Sequence, residues 1–165
     1  MTKRFLLMAA GTVMALSFVA CGSSNNDGPT PVPTPTPPTK AAVHMVVDPN
    51  PIVANYEGGG WYRFKVNLGF DESAGIGFTI NTIRTTITSA ATGNVVLDYV
   101  ATIGQYVAGS GNTILQYTSP QYHMAGGTSA GMIAFSVSIL DDRGNTITLP
   151  GQANVLHHGD PRRLP

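Results

Sequence analysis

The sequence predicts an all-β protein, an antiparallel β-sandwich of seven to eight strands, and three observations carry that expectation. From Ala41 onward apolar residues recur at every second position, the period of a strand that buries one face. Turn compositions rich in Gly, Asn, Asp and Pro punctuate these runs. No stretch offers the length and caps of a helix. The 165 residues divide into a charged-then-apolar start (1–20), a proline-rich segment (21–40) and one domain (41–165), with the tail 157–165 expected to be mobile.

The strands follow in order. Residues 43–47 open the domain and stop at Asp48-Pro49-Asn50-Pro51. In residues 61–70, Tyr62, Phe64, Val66, Leu68 and Phe70 alternate with Arg63, Lys65, Asn67 and Gly69, a clear one-faced strand. Ile76, Phe78 and Ile80 share one parity, whereas Ile83 and Ile87 share the other. A switch of parity inside one β run requires a bulge or a strand that bends between sheets. Thr92-Gly93-Asn94 is a turn, and residues 95–100 form the next strand. Residues 101–111 show no decisive pattern, and 114–118 read as a strand. In residues 132–140, Ile133, Phe135, Val137 and Ile139 face one way, opposite Ala134, Ser136 and Ser138. Asp141-Asp142-Arg143-Gly144-Asn145 then turns the chain into a partner strand at 146–149, which 153–156 extends beyond Pro150-Gly151.

This order of runs, with Phe70-Asp71-Glu72-Ser73-Ala74-Gly75-Ile76-Gly77 and Asp141-Asp142-Arg143-Gly144-Asn145-Thr146 at its turns, resembles the immunoglobulin-like domains of exported bacterial proteins of unassigned role. The resemblance covers residues 43–155 and implies a fold; it carries no catalytic residue and no activity. Cys21 is the only cysteine, so the domain is a disulfide-free variant stabilised by its core.

The start of the chain points to export. Lys3 and Arg4 precede an uncharged run, residues 5–20, of 16 residues. That is short of the roughly 20 needed to span a bilayer and suits a signal peptide. Phe18-Val19-Ala20-Cys21 resembles the lipobox of bacterial lipoproteins, with Phe18 where Leu is commonest. The resemblance implies lipidation of Cys21, a cell-envelope location and attachment to membrane through the N-terminal lipid. Gly22 stands where an aspartate would mark inner-membrane retention, so the outer membrane is implied for a Gram-negative host. Cleavage without lipidation and an uncleaved anchor are the competing readings. Residues 28–39 read GPTPVPTPTPPT. They suit a polyproline II spacer on the order of 35 Å long, at about 3.1 Å per residue. A PxxP ligand or a glycosylated Thr-Pro stalk would share that composition.

Composition excludes one class. The formal charge is zero, and removing Lys3 and Arg4 from nine basic side chains leaves seven against nine acidic. A mature balance near −2 supplies no basic footprint, so no nucleic acid partner is expected.

Four features could carry chemistry. Gly127-Thr128-Ser129-Ala130-Gly131 matches the nucleophile elbow G-x-S-x-G, which requires a strand before the serine and a helix after it; a strand pattern follows instead. A small exported hydrolase using Ser129 is therefore the alternative to a non-enzymatic reading. His157 and His158 with Asp160 are a metal-binding pattern, yet adjacent histidines in extended chain point to opposite sides. Asp71, Glu72, Asp141, Asp142 and Asn145 supply the hard oxygens that calcium prefers. In immunoglobulin order the loops holding them share one end of the sandwich. Asp and Asn also populate turns for local backbone reasons. Trp61 has outward parity, suited to stacking on a sugar or partner surface or to covering the end of the core. The expectation is a non-catalytic lipoprotein module without cofactor, binding an envelope protein or a polysaccharide. Its candidate binding residues are Asp71, Glu72, Asp141, Asp142, Asn145 and Trp61. A calcium-dependent adhesion or carbohydrate-binding module is the other alternative.

Overall fold

The computed structural model describes residues 34–124 and 130–158. Cys21, the residues expected to form an export signal and most of the proline-rich segment lie outside the described residues, as do Ser129 and the tail from 159. Among the described residues there is no helix and there are nine strands: β1 (Val43–Asp48), β2 (Ile52–Gly58), β3 (Trp61–Glu72), β4 (Phe78–Ser89), β5 (Val95–Val107), β6 (Asn112–Thr118), β7 (Tyr122–His123), β8 (Ala130–Asp141) and β9 (Thr146–His158). The last strand therefore includes His157 and His158, the first two residues of the segment expected to be mobile.

The ladder runs β1-β3-β2-β9-β8-β4-β5, with β6 and β7 also on β3. It folds into two layers because β3 serves both. Residues 61–64 of β3 pair with β2 and β7, whereas residues 65–72 pair with β1 and β6. One layer is thus β1-β3-β6, and the other is β2-β9-β8-β4-β5. The chain is an immunoglobulin-like β-sandwich.

Alternation places the core between the layers. Phe64, Val66, Leu68 and Phe70 of β3 face Ile133, Phe135, Val137 and Ile139 of β8, all buried. Rings meet across the gap: Phe64 and Phe135 at 6.4 Å, Tyr117 and Phe135 at 6.2 Å, Phe70 and Phe78 at 6.4 Å. Full burial of one such side chain stabilises by about 1.5–3 kcal/mol. One polar pair sits within the core, where Thr85 Oγ1 donates to the Tyr117 hydroxyl at 2.9 Å. Gly151 lets β1 close over β9, since a Cβ there would lie 2.5 Å from Met45 Cε and 3.1 Å from Val47 Cγ2.

The parity switch predicted in β4 is a bulge. Ile80 pairs with Ile139 and Thr82 with Ser138, which leaves Asn81 as the extra residue. The bulge turns both Ile80 and Ile83 into the core, although they stand three positions apart, an odd spacing that would otherwise put them on opposite faces.

Two strands extend the predicted set, and one ladder departs from an antiparallel pattern. β2 lies parallel to β9, with Ile52 opposite Val155 and Ala54 opposite His157. Its inward residues are Ile52, Ala54 and Tyr56, and the small alanine in the middle mutes the alternation. After β1 the turn holding Pro49 and Pro51 carries the chain to the other layer. The two-residue β7 is too short to leave a period. β5 continues through residues 101–107, where Gly104 takes φ 74° at an irregularity in the β4–β5 register.

Candidate functional site

The loops between β3 and β4 and between β8 and β9 meet at one end of the sandwich, where the Asp142 N–H donates to the Gly77 carbonyl at 2.9 Å. Glu72 and Asp141 are the last residues of their strands. Both continue the inward parity and are buried, at 2% and 3% exposed. Glu72 Oε1 accepts N–H groups from Ala42 (3.1 Å) and Ala74 (2.8 Å). Its Oε2 accepts from Gly75 (2.8 Å), Ile76 (3.1 Å) and Ser110 (2.8 Å). Asp141 Oδ2 accepts from Ala41 at 2.9 Å, and Oδ1 from Arg143 at 2.9 Å and Asn145 at 2.8 Å. The Asn145 side-chain amide adds contacts to both oxygens, 3.1 and 3.0 Å.

Desolvation pushes the Glu72 carboxyl up, but the N–H groups of Ser110, Ala42, Ala74 and Gly75 outweigh it and hold the group below its ordinary value. Asp141 follows the same logic. Desolvation raises it, and the Asn145 amide with the Ala41, Asn145 and Arg143 N–H groups bring it down to about 2. Each carboxylate thus supplies acceptors for backbone donors that strand ends and loops leave unpaired.

This arrangement divides the predicted acidic site. An ionised carboxylate offers about four lone-pair positions, and on Glu72 and Asp141 these are taken by N–H donors rather than open to a cation. Asp142 is exposed, and its Oδ2 accepts from the Tyr106 hydroxyl at 3.0 Å, which raises the Tyr106 pKa. Asp71 has the opposite parity to Glu72 and leaves the cluster altogether. It pairs with His44 of β1 and Asn112 of β6 on the outer face. There it closes a shallow groove of about 380 Å³ floored by Gly69 and walled by Val46 and Ile114. Among the described residues no three His, Cys, Asp or Glu side chains are placed to hold a metal ion.

The same end receives the chain that precedes the domain. Residues 34–40 are exposed and outside any strand. The Thr39 carbonyl accepts from Asn145 Nδ2 at 3.1 Å. Ala41 and Ala42 are then held by Asp141 and Glu72.

Trp61 lies at the opposite end, eleven residues before Glu72 on β3, a span of roughly 36 Å at about 3.3 Å per residue. It is 46% exposed and follows a turn of three glycines with φ of 103°, 60° and 86°. Its ring meets His123 at 5.3 Å and 72°. Gly60 suits this turn because its φ of 86° is one that side chains rarely adopt, and a Cβ would also push against His123 Nε2 at 2.7 Å. Behind this pair lie Tyr62, Tyr122 and His157. The Tyr122 hydroxyl is 3.0 Å from His157 Nε2, and Tyr62 packs edge-on against the His157 ring at 4.8 Å. Burial pushes the Tyr122 hydroxyl pKa up.

His123, Gln121 and Glu57 join Trp61 on this surface, and reading the sequence missed them. The available signal was the glycine run before an aromatic strand start. For the elbow-like motif, Ser129 itself lies outside the described residues. The chain after it is β8, a strand where the motif needs a helix. His157 is in β9 within the aromatic cluster, and Asp160 lies outside the described residues.

No family model matches the sequence, and no curated protein does. Solved structures resemble the fold. A structural genomics target designated SoR45 aligns with TM-score 0.55 at 12% identity, covering 74% of this chain and 90% of that one. The putative ApaA protein from Bordetella pertussis aligns with TM-score 0.52 at 13% identity, covering 72% and 95%. A CARDB domain from Pyrococcus furiosus, solved in complex with di-metal ions, aligns at TM-score 0.38 and 12% identity, over 70% of this chain and 89% of that one. At these identities the likeness concerns the fold.

Proposed function

We propose that this protein is a cell-envelope lipoprotein that displays its immunoglobulin-like sandwich on a proline-rich stalk as a non-catalytic binding or structural module. Cys21 is its lipid attachment point. In a Gram-negative host its membrane is the outer one, and its partner is an envelope protein or a polysaccharide. One observation carries the reading: residues 39–42 are gripped by Asn145, Asp141 and Glu72 at a single end of the domain. A tether reaching the domain through that segment is held by charge-assisted bonds from the Ala41 and Ala42 N–H groups to the buried Asp141 and Glu72 carboxylates. The Trp61 end, at the far side of the strands, is then the one presented to the surroundings.

Metabolic labelling with palmitate tests the anchor. The wild-type protein takes up label and partitions into detergent, and Cys21→Ser does neither. Equal labelling of the two proteins would refute lipidation at this residue. Assay of generic ester substrates tests the absence of catalysis, with turnover lost in Ser129→Ala as the outcome that would make the protein a hydrolase.

A further inference from the structure

Resting on that reading of a displayed module, we propose that the outer surface of β2, β3 and β7 around Trp61 is a saccharide-binding face for a neutral glycan. A pyranose ring stacks on the indole, and its hydroxyls bond to the polar row beside it. The glycine turn leaves the indole unshaded. A Cβ on Gly58 would meet nothing within 4 Å, and one on Gly59 only the indole Cδ1 at 3.6 Å. His123, directly opposite Trp61 in the β3–β7 pairing, supports the ring from beside it.

The next row across these strands is polar and connected. Asn55 stands opposite Arg63. Glu57 Oε1 lies 3.5 Å from Arg63 Nε, and Gln121 Nε2 donates to Glu57 Oε2. A carboxylate, a guanidinium and two amides therefore form the row beside an exposed aromatic ring. Planar groups with paired donors and acceptors match adjacent sugar hydroxyls, while the apolar face of a pyranose matches the indole. Glu57 and Arg63 compensate each other's charge, which favours an uncharged ligand over an ionic one.

Trp61 is the only tryptophan, so emission excited selectively through the indole, and not through the tyrosines, reports on this face alone. The intact protein in detergent is titrated with cellotetraose, chitotetraose and maltotetraose. A saturable emission change with at least one of them is expected. Calorimetry then gives a dissociation constant weakened about tenfold by Gln121→Ala, the loss of one hydrogen bond, and binding abolished by Trp61→Ala. Trp61→Phe keeps a ring and retains weakened binding; it replaces the alanine variant if that one melts early. No saturable change with any of the three at millimolar concentration would overturn the proposal, as would unaltered binding in both Gln121→Ala and the Trp61 variant. The anchor and the face fail separately: an unlabelled protein that still binds removes only the lipid, and a labelled protein that does not bind removes only the face.

Discussion

Asp141 Oδ2 accepts the Ala41 N–H at 2.9 Å, joining residues 100 positions apart in sequence. With Glu72 holding Ala42, this bond closes the first strand and its preceding chain onto the loops that end β3 and β8. Two buried carboxylates thereby do the work of a loop scaffold in a domain with no disulfide.

That scaffold makes stability depend on acid. The folded Asp141 carboxyl titrates at about 2, below the roughly 3.9 of an unfolded aspartate, and Glu72 is shifted in the same direction. A depressed folded pKa contributes stability that is complete above the unfolded value and disappears as pH falls through the folded one. Urea midpoints should therefore hold steady down to about pH 5 and drop between about pH 4 and pH 2. Asp141→Asn should have a lower midpoint than wild type at neutral pH and converge with it near pH 2. Parallel curves for the two proteins across that range would contradict this account.

The Phe64–Phe135 contact links the layers. Each residue is almost fully buried, at 1% and 2% exposed, and the rings meet edge to face at 76°. Either replacement by alanine should cost about 3–5 kcal/mol. A double-mutant cycle should return a coupling of about 0.5–1.5 kcal/mol beyond burial. Ser136→Ala, on the outer face of β8, should leave the unfolding midpoint nearly unchanged. Single losses under about 1 kcal/mol in urea titrations would mean the two faces do not meet.

The Thr85–Tyr117 bond offers a sharper polar test. Thr85→Val keeps the shape but leaves the largely buried tyrosine hydroxyl without its partner, at a cost of about 1–3 kcal/mol. Tyr117→Phe introduced into that variant removes the stranded hydroxyl and should recover part of the loss. If the double variant is less stable than Thr85→Val alone, the hydroxyl has another source of stabilisation.

Side-chain alternation is a local property, and the sequence by itself determined the all-β class, the inward faces of β3 and β8, the change of parity between Ile80 and Ile83 and the outward position of Trp61, while the structure made that change a bulge at Asn81. The same parity also separates the acidic residues. Glu72 continues the series Phe64, Val66, Leu68, Phe70, and Asp141 continues Ile133, Phe135, Val137, Ile139, so both point inward; Asp71 and Asp142 point out. Grouping them by loop alone obscured that division. Tertiary structure decided what the inward carboxylates hold, because Ala41 and Ser110 reach them from distant parts of the chain. It also decided the parallel pairing of β2 with β9 and the gathering of Glu57, Gln121 and His123 around Trp61. Periodicity records which side of a strand is buried, while these contacts depend on which strands become neighbours, and that is set by the packing of the two layers as a whole.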